Sequence, residues 1–486
     1  MSYTCLLRKI NYLSKKINVY IVGGFLRDLI LKKQCKDIDL VTNKKFIESF
    51  TKKVANFFNT KLIKLGKNNE TYRIVLNNDI VTNIDISPLN GKNIKEDLLN
   101  RDFTINAMAV NLRNLNKIRQ NIISPKNINV FKDFKFKIIN SVSTKSFLLD
   151  PLRMIRAFRI ASELNFMISK NLLEQINANS ELIQVISYER IKNEFFRILS
   201  LNNASSAIKN MFKSGLLENI FPIIKKMKMS DKIFYYHPNG LFQHSFETMV
   251  AAEEIINNLE KYFPKNFYDL KDYFNKNNSV FSENVTKSGI LKFAAFFHDN
   301  AKPETVKIEK NNKIHFLNHE KLGAENISKI MLLLKNSRKD IEEVKCLINN
   351  HMRLSNLTRN SDITLKAKYK LIRDIKDNIP ALIILSMSDW HSYRELNKFP
   401  IKMLKSQENI LGELMYFFYE TKKEKPIIRI IDGNIIMKKF GLTPSPYIGK
   451  LLKFINEKQI NKKINNTEEA IIALKLKFKN LKLSKE

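Results

Sequence analysis

Apolar positions recur in two different rhythms along this chain. Over roughly the first 140 residues short β-branched runs alternate with helix-like stretches, and Val19-Tyr20-Ile21-Val22 reads as a short buried strand. Tyr72–Leu76 and Ile80–Ile86 are two further β-rich runs, with Asn77-Asn78-Asp79 as the hairpin turn between them. From about residue 160 the spacing is helical almost throughout. Asp150-Pro151 predicts a helix start, with Asp150 as N-cap and Pro151 at the first helical position. Leu152, Ile155 and Phe158 then follow one helical stripe, and Arg153, Arg156 and Arg159 recur every three residues beside it. Asp269–Glu283 reads as a loop, Lys422-Lys423-Glu424-Lys425-Pro426 as a linker, and the Lys-rich stretch from Leu474 as a basic helix or tail.

The first strand runs into Gly23-Gly24-Phe25-Leu26-Arg27-Asp28, where a glycine pair before an apolar helix lets a triphosphate approach the backbone closely. Asp37-Ile38-Asp39-Leu40-Val41-Thr42 follows. Side chains alternate along a strand, so Asp37 and Asp39 share a face with Cα atoms roughly 6 to 7 Å apart. Two carboxylates so placed suit a pair of Mg²⁺ ions about 4 Å apart, one activating an attacking oxygen and one clamping phosphates. Asp85, flanked by Ile84 and Ile86 and on the opposite face from them, is a candidate third carboxylate or an ordinary strand aspartate. This order points to nucleotidyl transfer.

With 486 residues, 56.9 kDa and 44% hydrophobic content, the chain is long enough for three or four well-packed domains. The apolar run Ile379–Met387 is about half the ~18 residues of a membrane span, and no signal-peptide pattern opens the chain. Cys5, Cys35 and Cys346 form no CxxC or even framework, so a reducing cytoplasm is expected. The net charge of +35 suits a polyanionic partner such as nucleic acid, although an Ile/Asn/Lys-biased composition accounts for part of it.

Two further blocks complete a family pattern: Glu96-Asp97-Leu98-Leu99-Asn100-Arg101-Asp102-Phe103-Thr104-Ile105-Asn106-Ala107, and Asp150-Pro151-Leu152-Arg153. Glu189-Arg190-Ile191-Lys192-Asn193-Glu194 adds a Glu-Arg-x-x-x-Glu element. In this order the chain resembles the class II tRNA nucleotidyltransferase and bacterial poly(A) polymerase family. The resemblance implies an α+β fold: a small polymerase-β-like head with a mixed sheet and helices, followed by an all-α neck, body and tail. The expected segments are a head over 1–140, a neck carrying the base-reading motif over 141–225, a body over 226–395 and an RNA-binding tail over 396–486. It makes Asp37 and Asp39 the Mg²⁺ ligands, and Gly23, Gly24 and Arg27 triphosphate contacts. Arg101, with Asp102 and Asn106 of the same block, would hold nucleotide. Asp150 and Arg153, with Arg156 and Arg159 beside them, would present hydrogen-bond edges to cytosine or adenine. Asn100 and Leu149 depart from the pattern, replacing an arginine and a glutamate, and Leu149 bears on the control of C against A.

All seven histidines lie between His237 and His391. His244, His298-Asp299, His319, His351 and Asp389 keep the order of an HD-type phosphohydrolase, with Lys302 retained and Ala301 in place of a usual glycine. Mixed imidazole and carboxylate ligands suit Mn²⁺, Ni²⁺, Fe or Zn²⁺. The HD resemblance implies hydrolysis of phosphate esters; His237, His315 and His391 have no role in it. Ile431-Asp432-Gly433-Asn434 to Ile448–Leu452, with Ser445 in place of a frequent glycine, reads either as RNA-backbone contacts or as helix packing.

The resulting expectation is template-independent addition of CMP and AMP to a tRNA 3′ end, from CTP and ATP, with no membrane partner. The alternatives are a poly(A) polymerase, an A-adding or CC-adding specialist, and an HD phosphohydrolase whose head only binds RNA.

Overall fold

The protein is represented by a computed structural model describing residues 3–15, 17–65, 71–77, 80–229, 239–275, 284–311, 313–358, 363–393, 401–423, 430–460 and 463–483. His237, the Asn78-Asp79 end of the expected hairpin turn, and Glu424-Lys425-Pro426 lie outside these residues. The chain forms two compact units, Met1–Ile224 and Lys225–Glu486.

In the first unit six strands make one mixed sheet: β1 Val19–Val22, β2 Asp37–Thr42, β3 Leu62–Leu65, β4 Thr71–Val75, β5 Asn83–Pro88 and β6 Ala109–Asn111. Their order is β3-β4-β5-β2-β1-β6. Only β2 and β5 pair in parallel, with Asp39 opposite Asp85 and Asp37 opposite Asn83. The period-2 alternation of β2 decides which face does what. Ile38 and Leu40, with Ile21, Ile84 and Ile86, enter a core closed by Phe25, Leu26, Phe50 and Val54. The opposite face packs Val22, Val41 and Ala109 against Ile94 and Leu98 of the helix Ile94–Leu99. Asp37 and Asp39 share that second face with Val41, at the end where packing stops.

The neck is helical, as its spacing requires, apart from a two-residue parallel ladder between Ile138–Ile139 and Met167–Ile168. The Arg153–Leu164 helix begins two residues later than Asp150-Pro151 predicted, with Leu152 as its N-cap. Asp150 is instead the C-cap of the short helix Ser146–Leu149, and its carboxylate accepts from the Leu152 N–H at 3.3 Å.

The second unit is a helical body around Leu241–Asn257, Lys287–Phe297, His319–Leu333, Arg338–Leu357 and Ile379–His391. A small antiparallel pair, Val306–Ile308 with Ile314–Phe316, interrupts it. The expected loop at 269–283 is corrected in its first part: Phe267–Asn275 is helical, with Leu270 buried. Farther on, Ile431, Ile436, Ile448, Leu451, Ile455 and Leu474 close a separate cluster. Gly433 abuts Ile448 and Leu452, so this stretch is built for helix packing. Among the described residues no helix is long and apolar enough to cross a membrane.

Candidate active sites

The head site begins where β1 ends. Gly23 has φ +69°, a conformation that a residue with a Cβ adopts only with strain. A Cβ there would lie 3.1 Å from Arg101 Nη1 and 3.4 Å from Asp39 Oδ2, so Gly23 is the floor between the arginine and the metal-ligand candidate. Asp37 is exposed and accepts from Asn83 Nδ2 at 2.8 Å. Asp39 sits deeper, and its carboxyl is pushed up to about 6, chiefly by burial; Arg101 pulls it down while Asp85 and Asp37 push it up. Such a site is poised to gain a cation.

Asp85 faces the same side as Asp39, as the alternation requires, but Arg73 donates to both its oxygens at 2.8 and 2.7 Å. Sequence reasoning missed this partner: a turn at Asn77-Asn78-Asp79 would set Arg73 opposite Asn83, whereas the observed register, two residues longer, sets it opposite Asp85.

Around this pair runs a connected polar network. Arg27 donates to both oxygens of Asp28 at 2.8 and 2.9 Å and to Asn106 Oδ1 at 3.1 Å. Asn106 donates to Asp102 Oδ1 at 3.0 Å, as does the Phe103 N–H at 2.8 Å. Arg156 Nη2 lies 2.7 Å from Asp102 Oδ2. Burial works to raise the Asp102 carboxyl, but Arg156 and the two hydrogen bonds outweigh it and hold the group below its ordinary value. Arg101 donates to Asp97 Oδ2 at 3.0 and 3.1 Å. Asn100, the departure from the family pattern, donates to the Asn90 carbonyl at 3.0 Å.

The three neck arginines do three different jobs. Arg153 donates to the Asn100 carbonyl at 2.8 Å, the Ser146 hydroxyl at 2.9 Å and the Arg101 carbonyl at 3.3 Å, tying the helix to the Arg101 segment. Arg156 holds Asp102. Arg159 is buried and ion-paired with Glu163 and Glu194, which corrects its assignment to nucleotide: its guanidinium is spent inside the neck. The Glu189–Glu194 element is thereby explained, because Glu194 holds Arg159 and Arg190 donates to Asp150 Oδ2 at 3.0 Å. Leu149 is exposed.

In the second unit the expected histidines and aspartates converge. His244, His298, Asp299, His319 and His351 are all buried, and Asp389 is partly so. The Nε2 atoms of His244 and His298 are 3.3 Å apart, and those of His319 and His351 are 3.2 Å apart. Nδ1 of His298, His319 and His351 meets the carbonyls of Ala295, Phe316 and Ile348 at 2.9, 2.8 and 2.6 Å, and Nδ1 of His244 meets the Ser392 hydroxyl at 3.0 Å. A carbonyl only accepts, so three rings carry their proton on Nδ1 and turn the Nε2 lone pair inward. Lone pairs facing one another at this distance repel unless a cation lies among them, and the donor set fits a transition metal. Asp389 Oδ1 is 3.3 Å from His244 Nε2. Lys302 Nζ reaches Asp299 at 2.5 Å. The two remaining described histidines have ordinary partners, His315 with Glu309 and His391 with Glu408.

Three family models match successive stretches: Poly A polymerase head domain over residues 19–126, Probable RNA and SrmB- binding site of polymerase A over 165–228, and tRNA nucleotidyltransferase domain 2 over 309–474. The last spans the body–tail boundary expected at 395/396. A CC-adding tRNA nucleotidyltransferase of Geobacter sulfurreducens is 32% identical over 202 residues, 42% of this chain and 45% of the relative. One of Thermus thermophilus is 23% identical over 457 residues, 92% of this chain and 91% of the relative. The chain thus spans about half the length of the first relative and nearly all of the second. A solved CCA-adding enzyme in complex with CTP shares the fold, with TM-score 0.63 and 20% identity over 98% of this chain and 95% of that one.

The mixed-sheet head, matched by the Poly A polymerase head model, and the helical remainder have the nucleotidyltransferase fold of the solved CCA-adding enzyme. With its head, RNA-binding and C-terminal models in family order, the chain belongs to the class II tRNA nucleotidyltransferase and poly(A) polymerase family.

Proposed function

We propose that this chain adds CMP and AMP to the 3′ end of tRNA, with CTP and ATP as donors, in a reducing cytoplasm. The observation that carries the reading is the shared face of Asp37 and Asp39, with Gly23 set between Asp39 and Arg101. Those two carboxylates would hold Mg²⁺, which supplies charge neutralisation for in-line attack on an α-phosphate when bound. Gly23 leaves room for the triphosphate, and Arg27 and Arg101 offer guanidinium forks to it. Both arginines are held beforehand, by Asp28 and Asp97, so little is spent on ordering them. Asp85, committed to Arg73, is read as shaping the environment of Asp39.

For base choice, Asp150 accepts and Arg153 donates. An exocyclic amine is common to cytosine and adenine and absent from uracil, so a carboxylate favours the first two. The Asp102–Arg156 pair fixes the Arg101 segment against the neck. The high net charge suits grip on the tRNA backbone and shape, with little base readout.

The test is incubation with tRNA lacking its 3′ end and single labelled nucleotides. Incorporation of C, then of A once C is present, is expected; long tails from ATP alone would refute the reading. A CC-adding specialist is the second reading, favoured by the names of both relatives and by Leu149 in place of the usual glutamate. Addition of two C residues with no A would select it.

The body carries a second proposal, an HD-type phosphohydrolase centre for phosphate esters. His244, His298, Asp299, His319, His351 and Asp389 would hold Mn²⁺, Ni²⁺, Fe or Zn²⁺, whose Lewis acidity activates water when bound. Hydrolysis of a 2′,3′-cyclic nucleotide that survives Asp37→Ala/Asp39→Ala and is lost in His298→Ala would support it.

A further inference from the structure

We infer that Tyr3 is a positioning residue of the head site: its hydroxyl clamps the backbone two residues before Asp37, and its ring braces the residue that follows Gly23-Gly24. The inference rests on the Mg²⁺-dependent transfer proposed above. It gives a part in that reaction to the N-terminal helix Tyr3–Ser14, which precedes the head-domain match at residues 19–126.

The helix Gly24–Ile30 is joined to β2 by a connection in which Lys32, Lys33, Gln34 and Lys36 are exposed. A connection so open to water orders its own end poorly. Cys35 is the exception, partly buried against the head core. The Tyr3 hydroxyl donates to the Cys35 carbonyl at 2.9 Å and accepts from the Cys35 N–H at 3.1 Å. One oxygen thus meets the polar groups on both sides of the Cys35 Cα and restrains φ and ψ there together. The Cys35 thiol carries the restraint forward by donating to the Asp37 carbonyl at 3.1 Å. From the other side the Lys36 carbonyl accepts from the Thr82 and Asn83 N–H groups at 2.8 and 3.2 Å, and Asn83 Nδ2 reaches Asp37 Oδ1 at 2.8 Å. Asp37 is exposed, so these hydrogen bonds, rather than packing, set its place.

Tyr3 is itself well anchored. Leu6, Leu7 and Ile10 of its helix are buried in the head core. Its ring meets Phe25 edge-on, with centroids 5.6 Å apart and planes at 73°. Phe25 is buried and directly follows Gly24. One side chain therefore touches both segments that frame the carboxylate pair, the glycine turn beneath Arg101 and Asp39 and the lead-in to Asp37. Loss of the hydroxyl leaves the Cys35 N–H and carbonyl to water and frees that lead-in. A ligand that must be ordered as the ion binds weakens binding more than it slows the bound reaction. The effect should fall on the Mg²⁺ requirement.

The experiment compares the full chain with Tyr3→Phe, which keeps the ring on Phe25, and with Ile10→Val, which loosens the same helix without touching Cys35. Transfer of labelled CMP to tRNA lacking its 3′ end is followed against Mg²⁺ at saturating CTP, and amide exchange over residues 32–37 is read by mass spectrometry. In Tyr3→Phe the Mg²⁺ concentration for half-maximal transfer should rise about three- to tenfold, with the maximal rate within about twofold of the parent. The Cys35 amide should exchange about tenfold faster in the same variant, and Ile10→Val should change neither quantity. An unchanged Mg²⁺ requirement and unchanged exchange in Tyr3→Phe overturn the inference, as does an equal shift in Ile10→Val. Thermal melting checks folding. If Tyr3→Phe does not fold, exchange in the parent decides: a Cys35 amide as fast as in an unstructured peptide overturns the clamp, and a protected one supports it. A folded parent that transfers no nucleotide refutes the proposed function instead, and the inference falls with it.

Discussion

Replacing Arg156 with Met tests how much its ion pair with Asp102 adds to the hold of the neck on the head. The substitution keeps a long apolar stem and removes the guanidinium 2.7 Å from Asp102 Oδ2. Asp102, only 7% exposed, would keep its bonds from Asn106 and the Phe103 N–H but face no cation at that oxygen. Removing one partner of a buried pair costs ~3–5 kcal/mol. Because the Arg156 side chain is 37% exposed, water screens part of this, and we expect about 2–3 kcal/mol. The pH dependence carries the sign. With Arg156 present the Asp102 carboxyl lies below its ordinary value, so its contribution exists above the unfolded value and is lost as pH falls through the folded one. In the variant burial prevails, the carboxyl rises and protonation relieves the cost. The stability gap between parent and variant should therefore be widest near neutrality and shrink toward pH 4. Urea unfolding of the full chain, followed by probes in each unit because two units need not unfold together, measures it. Asp102→Asn should abolish most of the effect of Arg156→Met. A gap below 0.5 kcal/mol at neutral pH, or one unchanged by pH and by Asp102→Asn, would refute the reasoning.

Gly23→Ala should cost ~1–2 kcal/mol for the left-handed backbone and, by pressing on Arg101 and Asp39, reduce nucleotide incorporation more than it reduces stability; equal activity would remove Gly23 from the site. Because the Asp39 carboxyl titrates at about 6 without metal, protons compete with Mg²⁺ there. The Mg²⁺ concentration for half-maximal transfer should climb as pH drops below 6 and stay flat well above it, and a flat profile from pH 5 to 8 would exclude Asp39 as a ligand. In the same metal-free state stability from this group is fully present below the ordinary aspartate range and is lost as pH rises through about 6, so adding Mg²⁺ at pH 7.5 should raise the head's melting temperature more than at pH 5.

The face shared by Asp37, Asp39 and Asp85 was legible because a strand's period is two and the neighbouring isoleucines fix which side is buried. The histidine order was legible because few sequences place four imidazoles and two carboxylates in that succession. The neck arginines were not separable. Arg153, Arg156 and Arg159 have the same spacing and chemistry, and what distinguishes them is a partner remote in the chain: the Asn100 carbonyl, Asp102 and Glu194 respectively. The same holds for Arg190, whose motif was visible while its contact with Asp150 was not. Asp150 kept its capping chemistry, although the helix it precedes starts two residues farther on. Asp269–Asn275 read as part of a loop because its charged and amide residues outnumber its one buried leucine, and its packing is supplied by the surrounding body.

The central claim is that Asp37 and Asp39 drive nucleotide transfer to RNA. Incorporation of labelled CMP and AMP into tRNA lacking its 3′ end, with Mg²⁺ and with Asp37→Ala/Asp39→Ala as control, tests it most directly. Incorporation by the parent protein and none above background by the variant is expected, with both folded to the same melting temperature. A folded parent that adds neither nucleotide, or a variant that adds them at the parent's rate, would contradict it.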